Sequence, residues 1–172
     1  MKSKAILFSA LLVVLSQSAM AHSEHAVVMP KEFDTLKSLV GTWEGTAKMG
    51  GPKDEQVSVV YALTSGGTAI TETLMPGTPH EMVSVYYKDG KSLGMTHYCA
   101  MGNQPHMQLK KADDKSMSFE MTKPVGVSSM KEPHMHAVTL SMADSDHLKQ
   151  EWVNYQDGKA AGGATFDLQR KK

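Results

Sequence analysis

The residues best suited to chemistry in this 172-residue chain gather in the stretch 95–107, which holds Met95, His97, Cys99, His106 and Met107. On an extended backbone successive side chains alternate, so Met95, His97 and Cys99 share one face while Thr96 and Tyr98 share the other. With Gly102-Asn103 near a hairpin tip, His97 falls opposite His106 or Met107. Glu72 lies between Thr71 and Thr73, on the face that Ile70 and Leu74 present. A carboxylate on an inward face has to be paired or hydrogen-bonded, because burying it alone is costly. Trp152 and Asn154 share a strand face and supply an aromatic wall and an amide. Tyr61, Glu72, His97, Cys99, Trp152 and Asn154 are therefore the candidate ligand-binding residues, with Glu72 and His97 orienting a ligand's polar group. The same residues also read as a satisfied core pair that holds no ligand.

Sulfur and imidazole form a second constellation. The chain has 14 Met, and Met130, His134, Met135 and His136 lie close together. Imidazole and thioether suit copper, so His134, His136 and Met130 are the candidate metal ligands. Cleavage before His22 would add an α-amine beside an imidazole. On a strand, however, His134 and His136 share a face and Met135 points the other way. The remaining Met are scattered at strand positions, where filling a core is the plain explanation.

Catalysis has little in its favour. The sequence contains no Gly-x-Ser-x-Gly elbow, no phosphate-binding loop and no His-Glu-x-x-His pair. Glu72 with His97 would act as an acid–base pair if both lined a cavity. Cys99, the only cysteine, sits among Met and Tyr and reads as a buried thiol rather than a stabilised thiolate. No catalytic residue is assigned.

These side chains have to be positioned by strands. Phe33, Leu36, Leu39 and Val40 fall at helical spacing, with Asp34 as a cap, which predicts a helix of one or two turns over a barrel mouth. From Val40 the period becomes two. Strands are expected over 40–48, 56–64, 68–75, 81–88, 91–99, 106–110, 115–121, 134–142, 147–156 and 160–169. Turn chemistry fills the gaps, including Asp89-Gly90 and Asp157-Gly158, the dipeptides favoured in two-residue hairpins. Ten short strands joined by hairpins predict an all-β, up-and-down antiparallel barrel, since closure removes the exposed edges of a strongly twisted sheet. A β-sandwich is the competing fold. The longest irregular stretch, 122–133, reads as a functional loop or a surface Ω-loop.

Gly41-Thr42-Trp43, directly after a short helix, resembles the Gly-x-Trp signature of the lipocalins and wider calycin barrels. That resemblance implies a basic residue from a late strand packed across the tryptophan at the closed end. Arg170 is the only arginine and ends the last expected strand. Lysine lacks the planar guanidinium that stacks on indole and forks hydrogen bonds to carbonyls. Trp43 and Arg170 are accordingly expected to close the barrel, with Gly45 and Ala47 leaving space above them. The region from residue 22 onward is also similar to secreted bacterial lipocalin-like proteins of unassigned function. The shared pattern is Leu39-Val40-Gly41-Thr42-Trp43-Glu44-Gly45, Ile70-Thr71-Glu72-Thr73-Leu74, Met95-Thr96-His97-Tyr98-Cys99 and Gly102-Asn103-Gln104-Pro105. Within the superfamily the ten-stranded nitrobindins bind haem through a histidine on the final strand. Ala160-Ala161-Gly162-Gly163-Ala164-Thr165-Phe166-Asp167-Leu168 contains none, so haem is not expected.

Lys2 and Lys4, the apolar run 5–15 and Ala19-Met20-Ala21 have the layout of a signal peptide over 1–21. A flexible lead-in over 22–32 and one barrel domain over 33–172 follow, in a periplasmic or secreted setting. With 18 basic and 18 acidic residues the formal net charge is zero, and no basic patch supports nucleic-acid binding. No basic amphipathic helix supports membrane association. The expectation is a non-catalytic secreted protein holding a small apolar or amphipathic ligand in a barrel lumen, without a cofactor. The alternatives are a periplasmic copper-handling protein and a filled barrel whose outer surface engages a partner protein.

Overall fold

The period-two pattern that begins after Leu39 becomes a closed ring of ten antiparallel strands in a computed structural model, which describes residues 27–172. The expected signal peptide, the start of the lead-in and the α-amine of His22 lie outside the described residues. The strands are β1 (Gly41–Lys48), β2 (Glu55–Thr64), β3 (Ala69–Leu74), β4 (Met82–Asp89) and β5 (Ser92–Tyr98). They continue as β6 (His106–Ala112), β7 (Ser116–Glu120), β8 (His134–Met142), β9 (His147–Gln156) and β10 (Lys159–Arg170). Each pairs with its neighbours in sequence, and β1 pairs with β10 to close the ring. The sandwich alternative is excluded. β6 runs further than the alternation predicts because a bulge between Leu109 and Lys111 carries the pairing on to Ala112.

Helix α1 (Glu32–Ser38) buries Phe33 and Leu36, and Leu39 follows them into the core. Asp34 does not cap it. Lys31 occupies the cap position without a side-chain bond, and Asp34 instead pairs with exposed Lys37 at 3.2 Å. Part of the lead-in is docked, since Met29 packs against the core and Lys88 Nζ donates to the Val28 carbonyl at 2.8 Å.

Two hairpins illustrate how register is set. Asp157 and Gly158 both take positive φ, at 53° and 76°, and join Gln156 to Lys159 as a two-residue loop. The other Asp-Gly pair behaves differently. Asp89 stays in β4 and pairs with Ser92, so the loop is Gly90-Lys91, with Gly90 at φ 61°. This displacement moves every cross-strand partner between β4 and β5.

The barrel has two unlike ends. At the end where β1 begins, Trp43 is fully buried and its indole N–H donates to the Leu39 carbonyl at 2.8 Å. Arg170 lies opposite Trp43 in register, with its guanidinium carbon 4.2 Å from the indole centroid. Its three nitrogens donate to the carbonyls of Val40 (2.9 Å), Ser38 (2.6 Å) and Ser145 (3.0 Å). Two of those carbonyls, from Ser38 and Val40, belong to the end of α1 and the entry to β1, where a helix leaves such acceptors unmet. Gly45 serves a purpose other than space in the lumen. A Cβ there would stand 2.0 Å from the Asp167 carbonyl oxygen, so glycine is what permits the close approach of β1 and β10.

Candidate functional site

Cross-strand register assembles the site. Tyr61 on β2 is opposite Glu72 on β3, Glu72 is opposite Ser84 on β4, and Ser84 is opposite His97 on β5. Inward residues in such a row stand about 5 Å apart, within reach of polar side chains. All four are buried. The Glu72 carboxylate accepts hydrogen bonds from Tyr61 (2.5 Å), Tyr86 (2.9 Å) and the Gln150 amide (2.6 Å). Burial raises the pKa of Glu72, while the donors Tyr61, Tyr86, Ser84 and Gln150 each pull it back down. Tyr61 and Tyr86 are pushed well above the ordinary phenol value, first by burial and then by the adjacent carboxylate. Both phenols therefore remain neutral donors. The Gln150 carbonyl in turn accepts the Trp152 indole N–H at 3.0 Å. Glu72 is thus the centre of a polar floor, tied to Trp152 through Gln150.

Above this floor, at the end of the barrel opposite Trp43, is a cavity of about 340 Å³. His97, Trp152 and Asn154 line it, together with Met49, Met82, Met101, Met135, Leu74 and Phe166. One wall is backbone from Ala161 to Ala164, where a register shift between Ala160 and Gly162 loosens the edge of β10. Gly163 is needed in that wall, because a Cβ would come within 1.9 Å of the Trp152 carbonyl oxygen. His97 is 1% exposed and its ring centroid lies 4.6 Å from that of Trp152. Its Nδ1 is 3.0 Å from the Ser84 hydroxyl, while its Nε2 is buried without a protein partner. Burial lowers the His97 pKa from 6.5 to about 4. At neutral pH the cavity therefore holds an uncharged imidazole. Asn154 Oδ1 is likewise buried and unpartnered.

Of the six candidate ligand-binding residues, His97, Trp152 and Asn154 line the cavity. Tyr61 and Glu72 lie in the floor, and Ser84 stands between Glu72 and His97 in place of a direct acid–base pair. Cys99 is a buried free thiol whose pKa burial raises, in keeping with an inert thiol. It does not line the cavity; its amide bonds to the Asn103 carbonyl at 3.0 Å within the β5–β6 turn. His97 faces neither His106 nor Met107 across the hairpin. Its amide bonds to the Pro105 carbonyl at 3.0 Å, because Thr96 is the partner of His106. Sequence reasoning missed Ser84, Tyr86 and Gln150. Gln150 could have been found from alternation, two residues before Trp152 on the same face. Ser84 required the hairpin register.

His134 and His136 share a face of β8, as alternation predicts, but they are occupied with each other. His134 Nε2 is 3.2 Å from His136 Nδ1, and His134 Nδ1 donates to the Glu132 carbonyl at 2.6 Å. His136 also stacks on Tyr155 with centroids 3.8 Å apart, and its Nε2 is 3.8 Å from Glu120. Burial, and then the neighbouring His134, lower its pKa. Met130 packs against the core. Among the described residues, no group of three or more His, Cys, Asp or Glu side chains could hold a metal ion. A wider concavity of about 880 Å³ crosses the outer face of β7–β10 and β1. Its charged side chains include Lys149, which pairs with Glu151, and Glu44, which pairs with Lys171.

No protein-family model matches the chain, and no curated protein matches it. Solved structures do resemble it. One is a protein of unknown function of the DUF3598 family from Nostoc punctiforme, at 14% identity and a TM-score of 0.56, with 79% of this chain and 49% of that chain covered. Another is Rv2717c from M. tuberculosis, at 14% identity and a TM-score of 0.57, covering 84% of this chain and 100% of that one. The chain spans about half the length of the first neighbour and the whole of the second. At this identity the likeness shows the fold, a ten-stranded antiparallel barrel.

Proposed function

We propose that this chain is a lipocalin-like binding protein that holds a small apolar or amphipathic molecule at the open end of its barrel, outside the cytoplasm. One observation carries the proposal: His97, Trp152 and Asn154 line a cavity of about 340 Å³ whose other walls are largely apolar. That volume is at the lower end of the range of small-molecule sites, which combine apolar walls with a few polar anchors. The basic start, apolar run and small-residue site of the first 21 residues support an extracytoplasmic setting. Support for copper handling through His134, His136 and Met130 is weaker, because the two imidazoles satisfy each other and Met130 is engaged in packing. Native mass spectrometry of the protein isolated from its own envelope tests the proposal. The expected result is a retained organic molecule that disappears when the cavity is filled by Ala164→Leu. A protein that retains no molecule, and whose Trp152 fluorescence responds to no apolar probe, would overturn it.

A further inference from the structure

Four of the side chains around the cavity are thioethers, and they come from four separate parts of the ring. Met49 follows β1, Met82 opens β4, Met101 sits in the β5–β6 turn and Met135 lies on β8. A flexible, polarizable thioether fills irregular apolar space well, but it also takes up oxygen from peroxides. Exposure decides which of them an oxidant meets. Among the described residues Met101, at 46% exposure, is the one exposed methionine, and the others are buried or half-buried. The only cysteine does not compete, because the Cys99 thiol is buried and burial raises its pKa, leaving little thiolate to react. Met101 is held at the rim by its turn. The Gly102 amide donates to the Cys99 carbonyl at 2.9 Å, and the Asn103 side chain donates to the Pro133 carbonyl at 2.7 Å. Its side chain thus meets the cavity and solvent at once.

We propose that Met101 is an oxidation site that controls the cavity: a peroxide converts its thioether to a sulfoxide, and the apolar ligand is released. This regulation rests on the binding role proposed above. The sulfur gives an electron pair to one oxygen of hydrogen peroxide. An S–O bond forms, the O–O bond breaks, and the departing hydroxide takes the proton of the new S–OH group to leave as water. Sulfur loses two electrons and the peroxide gains them. The sulfoxide is polar and calls for a hydrogen-bond donor or water. The Trp152 indole N–H is already given to Gln150 at 3.0 Å, and Met49, Leu74, Met82, Met135 and Phe166 have no side-chain donor. Among the described residues no Lys or Arg side chain lines the cavity either. The new oxygen therefore keeps its water. An apolar ligand seated against Met101 would strip that water away, and burying a polar group without a partner is costly. Ligand and sulfoxide thus exclude one another.

The test treats the protein as isolated with limiting hydrogen peroxide. Peptide mass spectrometry should place the first added oxygen on Met101, ahead of every other methionine from Met29 onward. In the same samples 1-naphthol, titrated by calorimetry, should bind at least about fivefold more weakly than before treatment. Methionine sulfoxide reductases with dithiothreitol, which ends as a disulfide while the oxygen leaves as water, should restore the affinity. Met101→Leu keeps apolar bulk without sulfur. Compared with its own untreated affinity, it should change by less than about twofold at the same peroxide dose. A first oxygen on another of these methionines, or a Met101 sulfoxide that binds 1-naphthol as the thioether does, overturns this inference alone. So does an equal peroxide loss in Met101→Leu. Untreated protein that binds neither 1-naphthol nor decanol overturns the binding role together with it.

Discussion

His97 keeps an unpaired nitrogen inside an apolar wall, an arrangement that ordinarily costs a fold about 1–3 kcal/mol. Its titration gives that cost a measurable sign. The folded pKa is about 4, below the value of 6.5 expected when the chain is unfolded. The unfolded chain therefore binds the proton more readily, and stability falls as pH drops from 6.5 toward 4. A depression of that size corresponds to about 3 kcal/mol across the window. Glu72 has the opposite sign, because its folded pKa is raised and its contribution weakens the fold as pH rises past 4.5. His136 has the same sign as His97, with a pKa lowered chiefly by burial. The His97 contribution is isolated by difference. Denaturant melts of wild type and His97→Phe should show the variant more stable at pH 7, with the gap widening toward pH 4. If the gap is the same at both pH values, His97 is not a buried neutral imidazole.

At the scale of elements, alternation alone identified all ten strands, and it put Glu72, His97, Trp152 and Asn154 on inward faces. What it could not supply was register. Placing Asp89-Gly90 as the loop would set Ser84 opposite Met95; the observed Gly90-Lys91 loop sets it opposite His97. That two-residue change of partner hid the link between the carboxylate and the imidazole, since side-chain neighbours across a sheet depend on which residues turn. The stretch 122–133 was legible only as a long loop, because its bonds go to distant segments. The amides of Gln104 and His106 donate to the carbonyls of Gly126 and Val125, and the Asp157 amide donates to that of Lys131. Asn103 adds a bond to the Pro133 carbonyl at 2.7 Å. The loop is thus a strap holding the β5–β6 turn, which carries cavity-lining Met101, and the β9–β10 turn beside the Gly-rich wall. Gly126 permits the strap, since it sits at φ 80° and a Cβ would fall within 1.5 Å of the Gln104 carbonyl oxygen. Gly126→Ala should cost about 1–3 kcal/mol and speed hydrogen exchange at Gln104 and His106. Unchanged exchange at both amides would show that the strap does not hold the turn.

Across the whole molecule the two ends divide the work. The Trp43 end is solid, capped by α1 and locked by one guanidinium that reaches three carbonyls in two segments, whereas the His97 end keeps a cavity over a polar floor. The lone arginine and the Gly-Thr-Trp triplet made the solid end readable in advance, because few residue types can stack on indole and fork to carbonyls at once. The hollow end was less readable, since its wall is made of glycine and alanine backbone and its orphan atoms exist only in three dimensions. If the ends are independent, damage to one should leave the other intact, as distant sites add. Trp43→Ala should cost about 3–5 kcal/mol. Arg170→Lys keeps the charge but loses the fork to Ser38, Val40 and Ser145, and should cost about 2 kcal/mol. Both variants, measured well below their melting temperatures, should bind a cavity probe such as 1-naphthol within about twofold of wild type, the limit that additivity sets. A large loss of affinity in Arg170→Lys, with the melt barely altered, would mean that closure at one end shapes the cavity at the other. The barrel would then be a single coupled body rather than a rigid base carrying a separate site.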